Sequence, residues 1–327
     1  MPVEPPYGEI ADILKRGEII PFLGAGVNFG LRQPPDAKWN GNSCSFLPSG
    51  SELARFLASK ASFPSQDEHD LMDLAKVSSY FVETVARRRL RQRLHEVFDQ
   101  DFSPCEIHTY LAEISRACPL LIVTTNYDDL IEQAFRKLDR PFDLVVHPTD
   151  RKEVEASVLW WKNGAQEPEA VTPNRLYIDL KTTTVIYKMH GTVDRAKGTD
   201  DKTKGRWDSY VITEDDYVDF LARIQSAVPA QFMRYFRERQ FLFLGYGLRD
   251  WNLRVVLKNL RTAQPVESGS DTDDEEELRS WAIQYRPSEL EVQLWSARKI
   301  RIYDVDINEF ARRLREQGTL LKGDHAH

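Results

Sequence analysis

The feature that most constrains this chain is a short apolar run that recurs along the sequence and ends each time at a glycine or a polar residue. IIPFL runs to Gly24, LLIVT to Thr125, VIYKM to His190, and FLFL to Gly245. Apolar runs of this length are typical of β-strands that are buried on both faces. The sequence therefore predicts a sheet whose strands lie in the protein interior.

Helical patterns separate several of these runs. EIADILKRG carries Ile10, Ile13 and Leu14 at helical spacing, and a similar pattern runs from Asp128 to Leu138. Strands that alternate with helices favour an α/β fold with a mostly parallel sheet and helices on both faces. The further strand candidates are 142–146, 176–180, 210–212 and 300–305.

The block between the first two strands reads as helical throughout. SELARFLASKA has Leu53, Phe56 and Leu57 at helical spacing, residues 70–98 predict one long helix or two, and another helix begins at Ser103-Pro104. We therefore predict a helical insertion, residues 31–118, after the first strand.

Composition excludes several classes of protein. The net charge of −7 is poorly suited to gripping nucleic acid over a broad face. The three cysteines, Cys44, Cys105 and Cys118, include no C-x-x-C pair, so neither a four-cysteine zinc site nor a disulfide framework is expected. The N-terminus has no signal-peptide pattern, and no apolar run approaches the length of a membrane span. We expect a cytoplasmic protein with no resident metal.

The first strand is followed by a glycine turn, FLGAGVNFG. Gly24 and Gly26 partly match the dinucleotide fingerprint G-x-G-x-x-G, in which the backbone approaches a pyrophosphate. Phe29 stands where the third glycine belongs, and no acidic residue ends a second strand about 20 positions onward. Hydride transfer is therefore a weak interpretation. The open alternatives are a phosphate-binding loop and a plain strand-to-helix turn.

Two further strand ends carry polar side chains. Asn126 and Asp128 follow the second apolar run, at the edge where open α/β sheets bind ligands, although both residue types are also ordinary helix caps. His190 ends the TVIYKM run and is a candidate general base, because the imidazole pKa lies near neutrality. Its alternative role is that of a half-buried histidine with a satisfied ring.

A fourth strand ends in LGYGLRD, with Gly245 and Gly247 after the apolar run. This turn predicts a second close approach of the backbone to a ligand. The alternative is a turn in which Asp250 caps a helix. Four such strand ends at one edge of a single sheet favour a shared binding site more than any one of them does alone.

GAGVN, TTNYDD, the His190-Gly191 pair and LGYGLRD occur in the order found in sirtuin-like NAD-consuming domains. VITEDDYVDFL adds to this resemblance, which is closest to the bacterial branch of anti-phage defence systems and runs from about Ile19 to Val305. The resemblance implies a Rossmann-like NAD-binding domain, residues 1–30 and 119–327, with an inserted helical subdomain, residues 31–118.

The resemblance also assigns roles to residues. It implies that Asn126, Asp128 and His190 are catalytic, with His190 as the base. The residues that it implies contact NAD+ are Gly24, Ala25, Gly26, Val27, Asn28, Thr125, Asn126, Asp128, His190, Gly245, Tyr246 and Gly247.

The implied activity is hydrolysis of NAD+ to nicotinamide and ADP-ribose, with NAD+ as the substrate. Protein-deacylating sirtuins hold a structural zinc with two cysteine pairs, which this chain lacks. The alternatives are an NAD-dependent deacylase or ADP-ribosyltransferase, and a non-catalytic sensor of NAD or ADP-ribose. A thiol hydrolase built on Cys105 and His108 is disfavoured, because both residues fall on one helix without a glycine elbow.

An unregulated NAD+ hydrolase would harm its own cell. The resemblance therefore implies an activating partner protein or ligand from the same defence system, and assembly into a homo-oligomer. The arginine-rich stretch from Arg87 to Arg93 is an assembly surface, a nucleic-acid contact or, more simply, a solvated helix face. The acidic run from Ser268 to Glu277 predicts a solvated loop.

Overall fold

The computed structural model describes residues 4–34, 36–41, 44–149, 154, 156–195, 205–247 and 280–320. Within these residues, one large sheet has the strand order β11-β10-β9-β1-β2-β6-β3-β4-β5, and β7 pairs with β8 separately. The strands are β1 (Ile19–Leu23), β2 (Leu121–Thr124), β3 (Asp143–Val146), β4 (Val158–Trp161), β5 (Glu169–Val171), β6 (Val185–Lys188), β7 (Gly191–Thr192), β8 (Ser209–Tyr210), β9 (Gln240–Leu244), β10 (Ser280–Gln284) and β11 (Ile300–Asp304).

Helices connect and cover these strands. A 3-10 helix, Ala25–Leu31, follows β1, and a second one spans Pro173–Arg175. The α-helices of the described residues are α1 (Tyr7–Lys15), α2 (Gly50–Ala61), α3 (Glu68–Met72), α4 (Leu74–Thr84), α5 (Arg87–Phe98), α6 (Glu106–Ile114), α7 (Leu130–Lys137), α8 (Glu214–Ala227), α9 (Ala230–Glu238), α10 (Glu289–Ser296) and α11 (Ile307–Leu320).

The large sheet is mostly parallel, and its antiparallel pairs within the described residues are β3–β4 and β4–β5. Neighbouring residues of β1 face opposite sides, as the pleat requires. Phe22 packs with Phe241 and Phe243 under α8 and α9, whereas Leu23 packs in the core that includes α1, α6, α7 and α11. This confirms the predicted Rossmann-like α/β class with helices on both faces.

The helices after β1 form a core of their own. α2, α4 and α5 pack through buried residues such as Leu57, Phe81 and Leu94. The N-terminus of α2 is fixed by a capping box, in which Ser49 and Glu52 bond each other's backbone N–H groups. The predicted helical insertion after the first strand is thus confirmed. α6 packs with α7 and α11 on the sheet, and the domain boundary at residue 118 stays a prediction.

Several local predictions were wrong. Residues 70–98 form parts of three helices rather than one or two. Leu176 to Leu180 is not a strand, because the segment pairs with no neighbour in the described sheet; its leucine and isoleucine side chains are nevertheless buried in the core. Strands β4, β5 and β10 were not anticipated. The predictions for Leu248 to Asp250 and for the acidic run 268–277 lie outside the described residues.

None of the described helices combines the length and the apolar character that a membrane crossing requires.

Candidate active site

The parallel strands at the centre of the sheet end at one level. Leu23 of β1 pairs with Thr124 of β2 and with Leu244 of β9, and Thr124 pairs with Lys188 of β6. Residues that follow these four positions must therefore emerge side by side at the carboxyl edge of the sheet. The site residues predicted from sequence that emerge within two positions are Gly24, Ala25, Thr125, Asn126, His190, Gly245 and Tyr246.

The two glycine turns pack directly on each other. The Gly26 N–H donates to the Gly245 carbonyl at 2.7 Å, and the Gly24 N–H donates to the Leu244 carbonyl at 3.0 Å. A Cβ atom on Gly26 would lie 2.5 Å from the Gly245 oxygen, and Gly245 itself has a φ of +61°. Only glycine meets both demands without strain.

These turns lie where the strand order reverses. From β1 the chain moves to β2 on one side, whereas from β9 it moves to β10 and β11 on the other. Open α/β sheets bind ligands in the crevice outside such a switch point. The glycines therefore have a packing role and also border the expected ligand crevice.

The turn after β1 continues as a 3-10 helix rather than an α-helix. Ala25 is exposed, Gly26 is half-buried, and the Val27 side chain is fully buried in the sheet core. Val27 can therefore meet a ligand only through its backbone. Tyr246 is likewise largely buried, with its ring centroid 5.5 Å from that of Phe22 in an edge-to-face arrangement, while Gly247 is exposed.

Asn28 joins this turn to the loop after β2. Its side-chain amide donates to Asp128 Oδ2 at 3.0 Å, and the Leu130 N–H donates to Asp128 Oδ1 at 3.2 Å. Burial raises the pKa of Asp128 to about 6, opposed by the nearby Lys188 ammonium and these hydrogen bonds. The carboxylate is therefore mostly ionised at neutral pH, although it can take up a proton close to it.

Asn126 is held by the same pair of loops. Its side-chain amide donates to the Gly24 carbonyl at 3.2 Å, and its backbone N–H donates to Thr124 Oγ1 at 3.0 Å. The alternative role as a helix cap fails for Asn126, whose side chain bonds a loop. It applies to Asp128, which bonds the first turn of α7. Thr125, between them, is partly exposed at the rim.

His190 stands at the end of β6 in an aromatic setting. Its ring meets the edges of Tyr217 and Phe220, with centroids 5.4 and 5.6 Å away. Burial, with a smaller contribution from His147, lowers the pKa of His190 to about 3. The ring makes no hydrogen bond to another residue of the described ranges. His190 is therefore a neutral imidazole at physiological pH, which is the protonation state that a proton acceptor needs.

Two charged or titratable neighbours were missed by the sequence reasoning. His147 follows β3, its ring lies 5.1 Å from the Phe220 ring, and burial lowers its pKa to about 4. Lys188 is the last residue of β6, directly before Met189 and His190, and is fully buried. A lysine inside the apolar run VIYKM was the available signal, because a lysine in a buried strand requires partners.

Cys105 and His108 do lie together, at the start of α6 and beneath the 3-10 helix. The Sγ atom is 3.2 Å from His108 Nδ1 and donates to the Val27 carbonyl at 3.3 Å. Burial raises the pKa of the Cys105 thiol to about 12 and lowers that of His108 to about 3. The pair is thus a neutral, buried support for the glycine turn, and a thiolate nucleophile is unavailable here.

Comparison with known proteins gives a consistent picture. The model of the SIR2-like domain matches residues 120–303. The NAD(+) hydrolase ThsA of Acinetobacter baumannii is 28% identical over 214 residues, which cover 64% of this chain and 35% of that protein. The ThsA of Enterococcus faecium is 28% identical over 262 residues, 77% of this chain and 41% of that protein. This chain thus spans less than half the length of these relatives.

More distant similarities extend to a second kind of protein and to solved structures. Defense-associated sirtuin 2 of Bacillus subtilis is 22% identical over 78% of this chain and 20% of its own length. A structure from work on the mechanism and regulation of Sir2 enzymes is 12% identical, covers 98% of this chain and 100% of that chain, and has a TM-score of 0.43.

Proposed function

Because the chain belongs to the SIR2-like domain family, we propose that it is an NAD+ hydrolase that releases nicotinamide and ADP-ribose. Relatives named NAD(+) hydrolase align with 64% and 77% of the chain, which supports this activity. The motifs that carry the resemblance follow strands of one sheet, so a single ligand can meet all of those described.

One observation carries the proposal. The side chains of Asn28 and Asn126 bond across the loops after β1 and β2, to Asp128 and to the Gly24 carbonyl respectively. An amide, a carboxylate and, on the next strand, a neutral imidazole therefore share one edge of the sheet with a glycine turn. Together these groups can orient a water, stabilise a positive charge that develops on the ribose and accept a proton, which are the tasks of N-glycosidic cleavage.

The proposed chemistry is the attack of water on the anomeric carbon of the nicotinamide ribose. The bond from this carbon to the nicotinamide nitrogen breaks, and its electron pair neutralises the cationic ring, so that the leaving group needs no proton. Positive charge develops on the ribose, as in glycoside hydrolysis. His190 accepts the proton that the attacking water, or a ribose hydroxyl, releases.

The other residues orient the substrate and the water and stabilise the charge that develops on the ribose. We assign Asn126 to the water and the ribose, through hydrogen bonds from its amide. Asp128 supplies negative potential beside the developing charge and accepts ribose hydroxyls. Gly24 to Asn28 hold the pyrophosphate and the adjacent ribose, and Thr125 borders the same pocket. Gly245, Tyr246 and Gly247 meet the adenosine side.

We further propose that the protein is a regulated effector of bacterial anti-phage defence that depletes NAD+ in the cytoplasm. In this proposal residues 31–118 form an inserted helical subdomain beside the NAD-binding domain, residues 1–30 and 119–327. A partner protein or ligand activates the enzyme, which works as a homo-oligomer, because constant turnover of NAD+ would be toxic to the host.

The direct test is to incubate the purified protein with NAD+, alone and with candidate activators, and to separate the products by chromatography. Nicotinamide and ADP-ribose in equal amounts, without any acceptor, are expected. Turnover that depends on an acetyl-lysine peptide would identify a deacylase instead of a hydrolase. Transfer of label from NAD+ to protein would identify an ADP-ribosyltransferase. Binding of NAD+ without turnover under every condition would identify a sensor.

A further inference from the structure

A buried lysine lies directly beneath the candidate site. Lys188 is the last residue of β6, and its side chain is 0% exposed. Its ammonium donates to Glu132 Oε1 of α7 at 2.9 Å and to the backbone carbonyl of Tyr127 at 3.3 Å. It also donates to the backbone carbonyl of Asp128. All three N–H groups of the ammonium thus have acceptors. Two of these acceptors are carbonyl oxygens of the loop that carries the predicted catalytic residues Asn126 and Asp128.

Glu132, which forms an ion pair with the ammonium, is equally buried. The Glu132 side chain is 1% exposed, so this ion pair is withdrawn from water. Such pairs add little stability over a well-packed apolar pair, because both charges must be desolvated. Stability alone is therefore a poor reason for an ammonium here, whereas fixing the geometry of a loop is a sufficient one.

We propose that Lys188 is a positioning residue of the site: its ammonium fixes the Tyr127–Asp128 backbone and, with Glu132, sets the charge environment of the Asp128 carboxylate. This inference rests on the proposed function. The role is indirect, because the ammonium lies in the interior and bonds loop carbonyls rather than the ligand crevice.

Charged and titratable groups reach Asp128 from three elements. Lys188 of β6 favours the ionised carboxylate, and Glu132 of α7 disfavours it. The Cys105 thiol of α6 lies within electrostatic range and is neutral, and the Asn28 amide from the 3-10 helix adds a hydrogen bond. Removing the ammonium must therefore raise the pKa of Asp128, whereas removing the Glu132 charge must lower it.

The test compares Lys188→Met with Glu132→Gln across the pH range in which Asp128 titrates. We expect the acid limb of kcat/KM for NAD+ hydrolysis to move up by about one pH unit in Lys188→Met. In Glu132→Gln it moves down. If the two substitutions merely loosened the core, both would move the acid limb in the same direction or leave it in place. Either result overturns the inference.

Two additional variants separate this effect from misfolding. Lys162→Met removes a lysine that is half-exposed on the β4–β5 hairpin and should leave the limb unchanged. If Lys188→Met does not fold, the double variant Lys188→Met/Glu132→Gln takes its place, because it leaves no unpaired buried charge. The acid limb of its kcat/KM profile should still lie at higher pH than that of the wild type.

A second readout keeps the inference distinct from the proposed function. The affinity for ADP-ribose, measured by titration calorimetry over the same pH range, should show the same opposite displacements if Asp128 accepts ribose hydroxyls as an anion. A wild-type protein that binds ADP-ribose but does not hydrolyse NAD+ would contradict the proposed function while leaving this comparison intact. A protein that does neither contradicts both.

Discussion

The side-chain amide of Asn28 donates a 3.0 Å hydrogen bond to the carboxylate of Asp128, a residue 100 positions further along the chain. The bond ties the glycine turn after β1 to the polar loop after β2. The remaining oxygen of the Asn28 amide is buried and has no partner within the described residues. A buried acceptor of this kind suits a ribose hydroxyl, because an unsatisfied polar atom carries a desolvation cost that a ligand removes.

Asn28→Ala should therefore weaken NAD+ binding more than it slows chemistry. We expect KM to rise about tenfold, corresponding to the loss of a hydrogen bond worth ~1.4 kcal/mol, with a smaller change in kcat. Steady-state kinetics of nicotinamide release measure both. The matched control is Asn163→Ala, since Asn163 is exposed and bonds Asp143 through its backbone N–H. A fall in kcat at constant KM would contradict this assignment.

Asn126→Ala and His190→Ala should abolish most turnover while the protein remains folded. Each removes a group proposed to act on the reacting water or ribose, so we expect kcat to fall by about 100-fold or more. Circular dichroism checks the fold, and chromatography of ADP-ribose measures the rate. His69→Ala is the control, because His69 is exposed on the short helix α3. Near-normal rates in both folded variants would refute the assignment.

Gly26→Ala should cost stability and ligand affinity together. The added methyl group would lie 2.5 Å from the Gly245 carbonyl oxygen, so the two turns must separate. We expect the free energy of unfolding to fall by about 1–3 kcal/mol, as in other overpacked sites. Urea denaturation with and without ADP-ribose measures both effects.

Gly8→Ala serves as the comparison for Gly26→Ala. A Cβ atom on Gly8 would meet nothing within 4 Å, and the residue lies in α1, where alanine is the better helix former. Its free energy of unfolding should stay the same or rise. Equal losses in the two variants would mean that the close packing of the glycine turns is not what Gly26 provides.

The features that could be predicted from the sequence are those that a local pattern of residues encodes. Buried strands with bulky apolar residues, such as β1 and β9, stand out from their surroundings, and the polar residues at their ends were correctly expected to emerge at the edge of the sheet. β10 was missed, because SWAIQ contains few β-branched residues and a polar residue at each end. Residues 176–180 misled for the opposite reason, since the sequence LYIDL alternates aliphatic residues with Tyr177 and Asp179 as a strand does.

Contacts between distant segments were beyond prediction from a single sequence. Nothing local indicates that Asn126 bonds the Gly24 carbonyl rather than capping a helix, or that Lys188 finds Glu132 in the interior. Both depend on the order of the strands, which the pattern of apolar runs does not specify. The motifs therefore identified candidate residues, while their partners and protonation states came from the fold.

Three histidines that are buried in the described part of the chain make stability depend on pH in a way that can be measured. Burial lowers the pKa of His108 and His190 to about 3 and that of His147 to about 4, whereas the unfolded chain takes up these protons near pH ~6.5. Asp128 acts in the opposite sense, because its pKa is raised to about 6 in the folded protein. Between pH ~4 and ~6 the unfolded state therefore binds about two protons more than the folded state.

The free energy of unfolding should consequently fall by on the order of 3 kcal/mol for each unit that the pH drops through this window. The histidine contribution is fully present above pH ~6.5 and is lost as the pH falls toward the folded-state pKa values. His147→Phe keeps a ring against Phe220 and should make the slope shallower by about half, whereas exposed His69→Ala should not change it. Urea denaturation at several pH values measures the slope, and a flat or rising free energy on acidification would show that these imidazoles are not held neutral in the folded protein.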